Sequence, residues 1–119
     1  MIDVTAVQVW LAPGFTDMRR SIDGLAMLAQ TVVGRNPLDD HLFVFCGRDR
    51  KRLKILYWQQ NGFWLFYRRL ESGRFRWPDA QVFDGKAVCV SRRQLAWLLD
   101  GLAIEQPRAH KAVGYEFVC

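Results

Sequence analysis

Between residues 48 and 76 the chain carries Arg48, Arg50, Lys51, Arg52, Lys54, Arg68, Arg69, Arg74 and Arg76 against only Asp49 and Glu71. The rest of the sequence holds eight cations and ten anions, so the net charge of +5 belongs to this one segment. Interleaved with those cations are Tyr57, Trp58, Phe63, Trp64, Phe66, Tyr67, Phe75 and Trp77, half of all the aromatic residues. Cations displace the counterions condensed on phosphates, and flat rings stack unpaired bases, so this mixture predicts a nucleic-acid surface. The loop from Arg48 through Arg52, four cations around Asp49, reads as its strongest part. Arginine and aromatic enrichment also suits a protein interface, and rings at strand spacing also suit a core. Composition therefore leaves direct DNA binding and an adaptor role both open.

A second candidate is Arg92 and Arg93, placed directly after Ser91 at the start of a predicted helix. Cations there oppose the helix dipole, but the exposed N–H groups, the Ser91 hydroxyl and two guanidiniums would together cradle a phosphate. Catalytic patterns are weak by comparison. His41 and His110 have neither a nearby nucleophile nor a metal-ligand spacing and read as surface histidines. Asp39, Asp40, Asp79 and Asp84 could in principle hold Mg²⁺ for strand transfer, yet they fall in connectors rather than in a framework that gathers carboxylates. The expectation is a protein without enzymatic activity, cofactor or metal.

The elements that must position these residues follow from periodicity. Residues 5–11 form a short β-rich run ended by Ala12-Pro13-Gly14. Met18, Ile22, Leu25, Ala26, Ala29, Val32 and Val33 recur at helical spacing and predict a helix over residues 17–33, closed by Gly34. Within it Gly24 suggests close packing on a neighbouring backbone. Three β-type runs follow, at residues 41–46, 53–59 and 63–69, joined by links short enough to favour antiparallel neighbours. Asn61-Gly62 predicts a two-residue type I′ turn that sets Lys54 opposite Arg69, a repulsive pair unless an anion lies between them. A short strand over residues 86–90 precedes a helix over residues 92–100, marked by a capping box from Ser91 to Gln94, a C′ Gly101 and a stripe of Leu95, Leu98, Leu99 and Leu102. The fold class expected is α+β, an antiparallel β-meander sheet flanked by two helices. It forms one domain over residues 1–103, with a C-terminal tail over residues 104–119.

Half of the residues are hydrophobic, which suffices for one core, and no apolar run is long enough to cross a bilayer. The N-terminus lacks the pattern of a signal peptide, so no membrane partner and a cytoplasmic location are expected. Cys46, Cys89 and Cys119 are odd in number and far apart, which speaks against a disulfide framework, and Cys46 and Cys89 read as reduced, buried thiols.

A series of motifs gives a resemblance. Thr16-Asp17-Met18-Arg19-Arg20, Ile22-Asp23-Gly24-Leu25, Asn36-Pro37-Leu38, His41-Leu42-Phe43-Val44-Phe45, Leu53-Lys54-Ile55-Leu56-Tyr57-Trp58, Gly62-Phe63-Trp64-Leu65, Tyr67-Arg68-Arg69-Leu70-Glu71 and Gly73-Arg74-Phe75-Arg76-Trp77-Pro78 occur in order. Together they closely resemble the second-reading-frame accessory protein, TnpB, of insertion sequences of the IS-66 type, which is not the RNA-guided nuclease of the same name. The resemblance implies a separately encoded transposase as partner and transfers no catalytic residue. Gln59-Gln60-Asn61-Gly62 departs from it by replacing a commoner acidic turn, and the segment after Gly101 departs from it as well.

Overall fold

The structure is a computed structural model that describes Ala6 and residues 8–105. In chain order it contains β1 (Gln8–Leu11), α1 (Ile22–Leu28) running into a π-helical turn (Ala29–Val33), β2 (His41–Cys46), β3 (Arg52–Gln59), β4 (Gly62–Arg69), α2 (Ala80–Phe83), β5 (Val88–Val90) and α3 (Arg92–Leu99). The strands form one sheet in the order β4-β3-β2-β1-β5.

The α+β class holds, and residues 41–69 form the expected meander, but the sheet is mixed. β1 pairs with β2 in parallel, while β5 pairs with the other side of β1 in antiparallel sense. The cause lies in the connection: the segment from β1 to β2 contains a helix, and a helical crossover returns the chain in the same direction, whereas a tight turn reverses it. Three α-helices rather than two flank the sheet among the described residues. The unforeseen one, α2, follows Pro78, and the Asp79 carboxylate caps it by accepting from the N–H groups of Gln81 (3.1 Å) and Val82 (3.3 Å).

Both faces of the sheet are covered, which explains why Leu42-Phe43-Val44-Phe45-Cys46 is apolar without alternation and buried throughout. On one face Trp10, Phe43, Phe45 and Leu56 pack against Leu25, Ala29 and Val33 of α1 and its π-helical extension. On the other, Val44, Leu53, Ile55 and Tyr57 meet Leu95 and Leu98 of α3, Phe83 of α2, and Phe75 and Trp77.

Several local expectations change. The first helix begins at Ile22, because the Asp17 side chain accepts from the backbone N–H of Arg19 (3.0 Å) and holds residues 17–20 in a turn. A Cβ at Gly24 would meet the Arg20 side chain at 3.3 Å, not a neighbouring backbone. In the β3–β4 hairpin Gln60 and Asn61 form the turn and Gly62 already pairs with Gln59, so the register is shifted by two residues. Only Gln60 of that turn takes positive φ (56°), which rules out the type I′ geometry that needs it at both positions. A shift of two keeps every side chain on its expected face but changes its partner: Lys54 opposes Tyr67, and Arg52 opposes Arg69. The α3 capping box and Gly101 at positive φ (80°) are as expected, though Leu102 is exposed and the buried polar member of the helix is Gln94.

Ile104, first residue of the segment read as a tail, is buried in the core, while His110, Cys119 and the rest of that segment beyond Glu105 lie outside the described residues. Cys46 is a buried free thiol whose pKa burial pushes up to about 12; Cys89 is buried too, though not as a free thiol. No helix of the described residues is long and apolar enough to cross a membrane.

Candidate nucleic-acid interface

β1, β2 and β4 all run in the same direction, so the segments that leave their carboxyl ends gather at one end of the sheet. These are residues 12–20, 47–51 and 70–78. The first two are tied by the N–H of Thr16 donating to the Cys46 carbonyl (2.8 Å) and by close contact between Gly47 and Met18, where even a Cβ on Gly47 would come within 2.7 Å of Met18 Cγ. The third folds back on the second: the N–H of Leu70 donates to the Lys51 carbonyl (2.8 Å) and that of Phe75 to the Arg50 carbonyl (2.6 Å).

That return segment explains where its arginines go. In extended chain successive side chains alternate sides. Phe75 and Trp77 point into the core, with Trp77 Nε1 donating to the Gly14 carbonyl (2.8 Å), and Arg74 and Arg76 are therefore exposed. Arg50 and Lys51 stand across from them, and the four cations line an open groove of about 930 Å³. Two acids share its wall: Asp79, whose carboxylate is engaged in capping α2, and Glu105. None of the four cations is ion-paired with a described residue.

The remaining predicted residues divide by location. Arg48 and Arg52 line a smaller neighbouring cavity of about 300 Å³ with Phe15, Asp17 and Arg19. The loop does contain its own acid: Asp49 binds Arg52 (3.0 Å), and its carboxyl is held below the usual range by the Lys51 N–H first and Arg52 second. Asp17 is likewise held low by its hydrogen bonds from Arg19. Lys54 donates to the carbonyls of Met18 and Arg20 (both 2.7 Å), a structural tie that replaces the repulsion expected with Arg69. Arg69 pairs with Glu71 (2.8 Å), which relieves its cross-strand encounter with Arg52 without any bound anion. Arg68 donates to the Leu99 carbonyl (3.0 Å) at the end of α3.

Arg92 and Arg93 lie at the opposite end of the sheet. α3 follows Val90, which pairs with Val9 and through it aligns with Leu42 at the start of β2. There Arg92 donates to the Ala6 carbonyl and the Arg93 guanidinium lies 5.9 Å from the centre of the Trp97 ring.

Two further residues of the loop end lie outside the basic segment. Phe15 is 41% exposed, with the guanidiniums of Arg48 and Arg50 each 5.8 Å from its ring centre, and Arg19 shares the cavity of Arg48 and Arg52. A parallel β1–β2 pairing was the missing information, since it alone brings residues 12–20 beside the basic loop. Among the other rings of the segment, Trp64 and Tyr67 are exposed and Tyr57, Phe75 and Trp77 buried. Of the acids weighed for metal binding, Asp79 and Asp84 sit at the two ends of α2, Asp39 and Asp40 lie in the connector before β2, and no three His, Cys, Asp or Glu among the described residues gather to hold an ion.

Residues 7–109 match the family model described as IS66 Orf2 like protein. Two curated relatives from Sinorhizobium fredii (strain NBRC 101917 / NGR234) are similar over most of their length, each described only as an uncharacterized protein. One, y4hO, is 44% identical over 102 residues, 86% of either chain. The other, y4jC, is 32% identical over 96 residues, 81% of this chain and 80% of the relative. No solved structure matches the chain.

Proposed function

Because the chain belongs to the IS66 Orf2 like family, we propose that it serves transposition as a non-catalytic accessory protein that binds DNA at its loop end, beside a separately encoded transposase. The observation that carries this reading is the convergence of Arg50 and Lys51 with Arg74 and Arg76, from two separate segments, on one groove without ion-pair partners among the described residues. Cations left unpaired along a concave surface focus a positive potential that attracts polyanions. Arg48 extends the same potential toward the adjoining cavity, where Arg52 and Arg19 are paired with Asp49 and Asp17, and Phe15 offers an exposed ring between the two. Lys54 and Arg68 contribute charge from fixed positions while holding backbone carbonyls. The reading places Arg92 and Arg93 outside the main footprint.

Binding of the purified protein to element-end and unrelated DNA across a salt series, with and without transposase, tests it. Binding should fall steeply with salt, and replacing Arg50, Lys51, Arg74 and Arg76 together by Gln should abolish it in a chain that still folds. If that variant binds DNA with an unchanged salt slope and loses only the transposase, the surface is a protein-docking adaptor instead.

A further inference from the structure

β4 is the outermost strand of the sheet, eight residues long, and no described residue hydrogen-bonds to its free edge. It has neither Pro nor a bulge, two of the devices that blunt such an edge, and its charges are confined to one end. Its residues are also sorted along its length: Phe63, Trp64, Leu65, Phe66 and Tyr67 precede Arg68 and Arg69. Trp64 (41%) and Tyr67 (54%) are exposed on opposite faces, and Trp64 stacks along Phe66.

We propose that β4 pairs with β4 of a second copy of this chain, in antiparallel sense about a two-fold axis through Phe66. Parallel pairing in register would stack arginine on arginine. Antiparallel pairing sets each arginine against a ring of the partner, where a guanidinium is attracted to the aromatic face. A two-fold axis perpendicular to the sheet keeps each face with its like, which restricts the register to pairs of the same face. With Phe66 opposite itself, Trp64 meets Arg68, Phe63 meets Arg69 and Leu65 meets Tyr67 of the other copy.

A second observation fits this register. On the α3 side an apolar cavity of about 370 Å³ lies between sheet and helix, walled by Leu53, Ile55, Leu95 and Leu99 and, toward the edge, by Phe66 and Arg68. Trp64 belongs to that face, and in this register the ring from the second copy arrives opposite Arg68, beside the cavity. The result is a continuous ten-stranded sheet with its two basic loop ends pointing in opposite directions. It does not depend on the DNA reading, because none of the groove cations takes part.

Sedimentation analysis of the full chain tests the pairing. The chain should sediment at twice its 13.9 kDa mass. Trp64→Arg sets a guanidinium against Arg68 at both symmetry-related contacts, so this variant, shown folded by circular dichroism, should be a monomer. Trp64→Arg combined with Arg68→Glu restores complementarity only in this register and should return the dimer. Phe66→Cys, on the axis, provides a test that does not rely on charge: facing positions of an antiparallel pair lie about 4.5–5.5 Å apart at Cα, within disulfide reach. Mild oxidation should then give a covalent dimer that the parent chain does not give. A parent chain that is monomeric at its highest soluble concentration, a Trp64→Arg variant that remains dimeric, or a folded Phe66→Cys variant that does not cross-link would each overturn the proposal.

Discussion

Gly47 is the residue on which the loop end turns. Adding a methyl there forces Met18, itself buried, away from a 2.7 Å encounter and crowds Asp49 Oδ1, the atom that accepts the Lys51 N–H. Gly47→Ala should therefore cost about 1–3 kcal/mol of stability, read from denaturant midpoints, as overpacking does. His41 makes a different prediction. Sequence alone placed it on the surface, yet it is half-buried between Trp10 and Phe43 with its Nδ1 buried and without a hydrogen-bond partner among the described residues. Burial depresses its pKa below the ordinary value of 6.5. The unfolded chain then takes up the proton first as pH falls, so stability declines from about pH 6.5 downward and levels off once the folded-state histidine also protonates. Unfolding titrations between neutral and mildly acidic pH should show that decline in the parent and a smaller one in His41→Gln. Equal slopes in the two proteins would remove His41 as the cause.

At the scale of elements, α3 shows what local chemistry can specify. The Ser91 side chain accepts from the Gln94 N–H (3.0 Å) and Gln94 Oε1 accepts from the Ser91 N–H (2.9 Å), so the box read from the sequence exists. Ser91→Ala should cost about 0.5–2 kcal/mol, and a stability change near zero would mean that burial of Leu95 and Leu98 alone fixes the helix start. The strands of the meander were equally legible, because their short links leave little choice of partner. Pairing of β1 was not legible, since a four-residue strand carries no mark of direction and its neighbours are set by a crossover and by a distant three-residue strand. The hairpin shows the limit between the two: face assignment survived because side-chain period is two, while register failed because Gln60, not Gly62, took the left-handed position. Likewise, Arg74 and Arg76 were recognised as cations, but their meeting with Arg50 and Lys51 depends on Phe75 and Trp77 anchoring the return segment, a tertiary event with no local signature.

Two groups of candidate phosphate-binding cations lie at opposite ends of the sheet. Arg50, Lys51, Arg74 and Arg76 lie beyond the carboxyl end of β2, and Arg92 and Arg93 beside its start. β2 has six residues, so at about 3.3 Å per residue it spans roughly 17 Å. The Debye length is about 8 Å at physiological ionic strength, so neither group feels much of the other's field across solvent. Each therefore contributes to DNA binding only through phosphates that it reaches itself. Removing two groove cations, as in Arg50→Gln with Arg74→Gln, should flatten the dependence of log K on log salt by about 1.8 on duplex DNA, with similar losses for every sequence. Removing Arg92 and Arg93 takes away the same formal charge, so a non-specific effect of net charge would change the slope equally. A local footprint would not: the Arg92→Gln, Arg93→Gln variant should keep nearly the parent slope. Because Arg92 also holds the Ala6 carbonyl, its folding must be measured beside its binding. Equal flattening in two folded double variants would show a footprint that extends over both ends of the sheet, and a larger effect at Arg92 and Arg93 would move the interface to the start of α3.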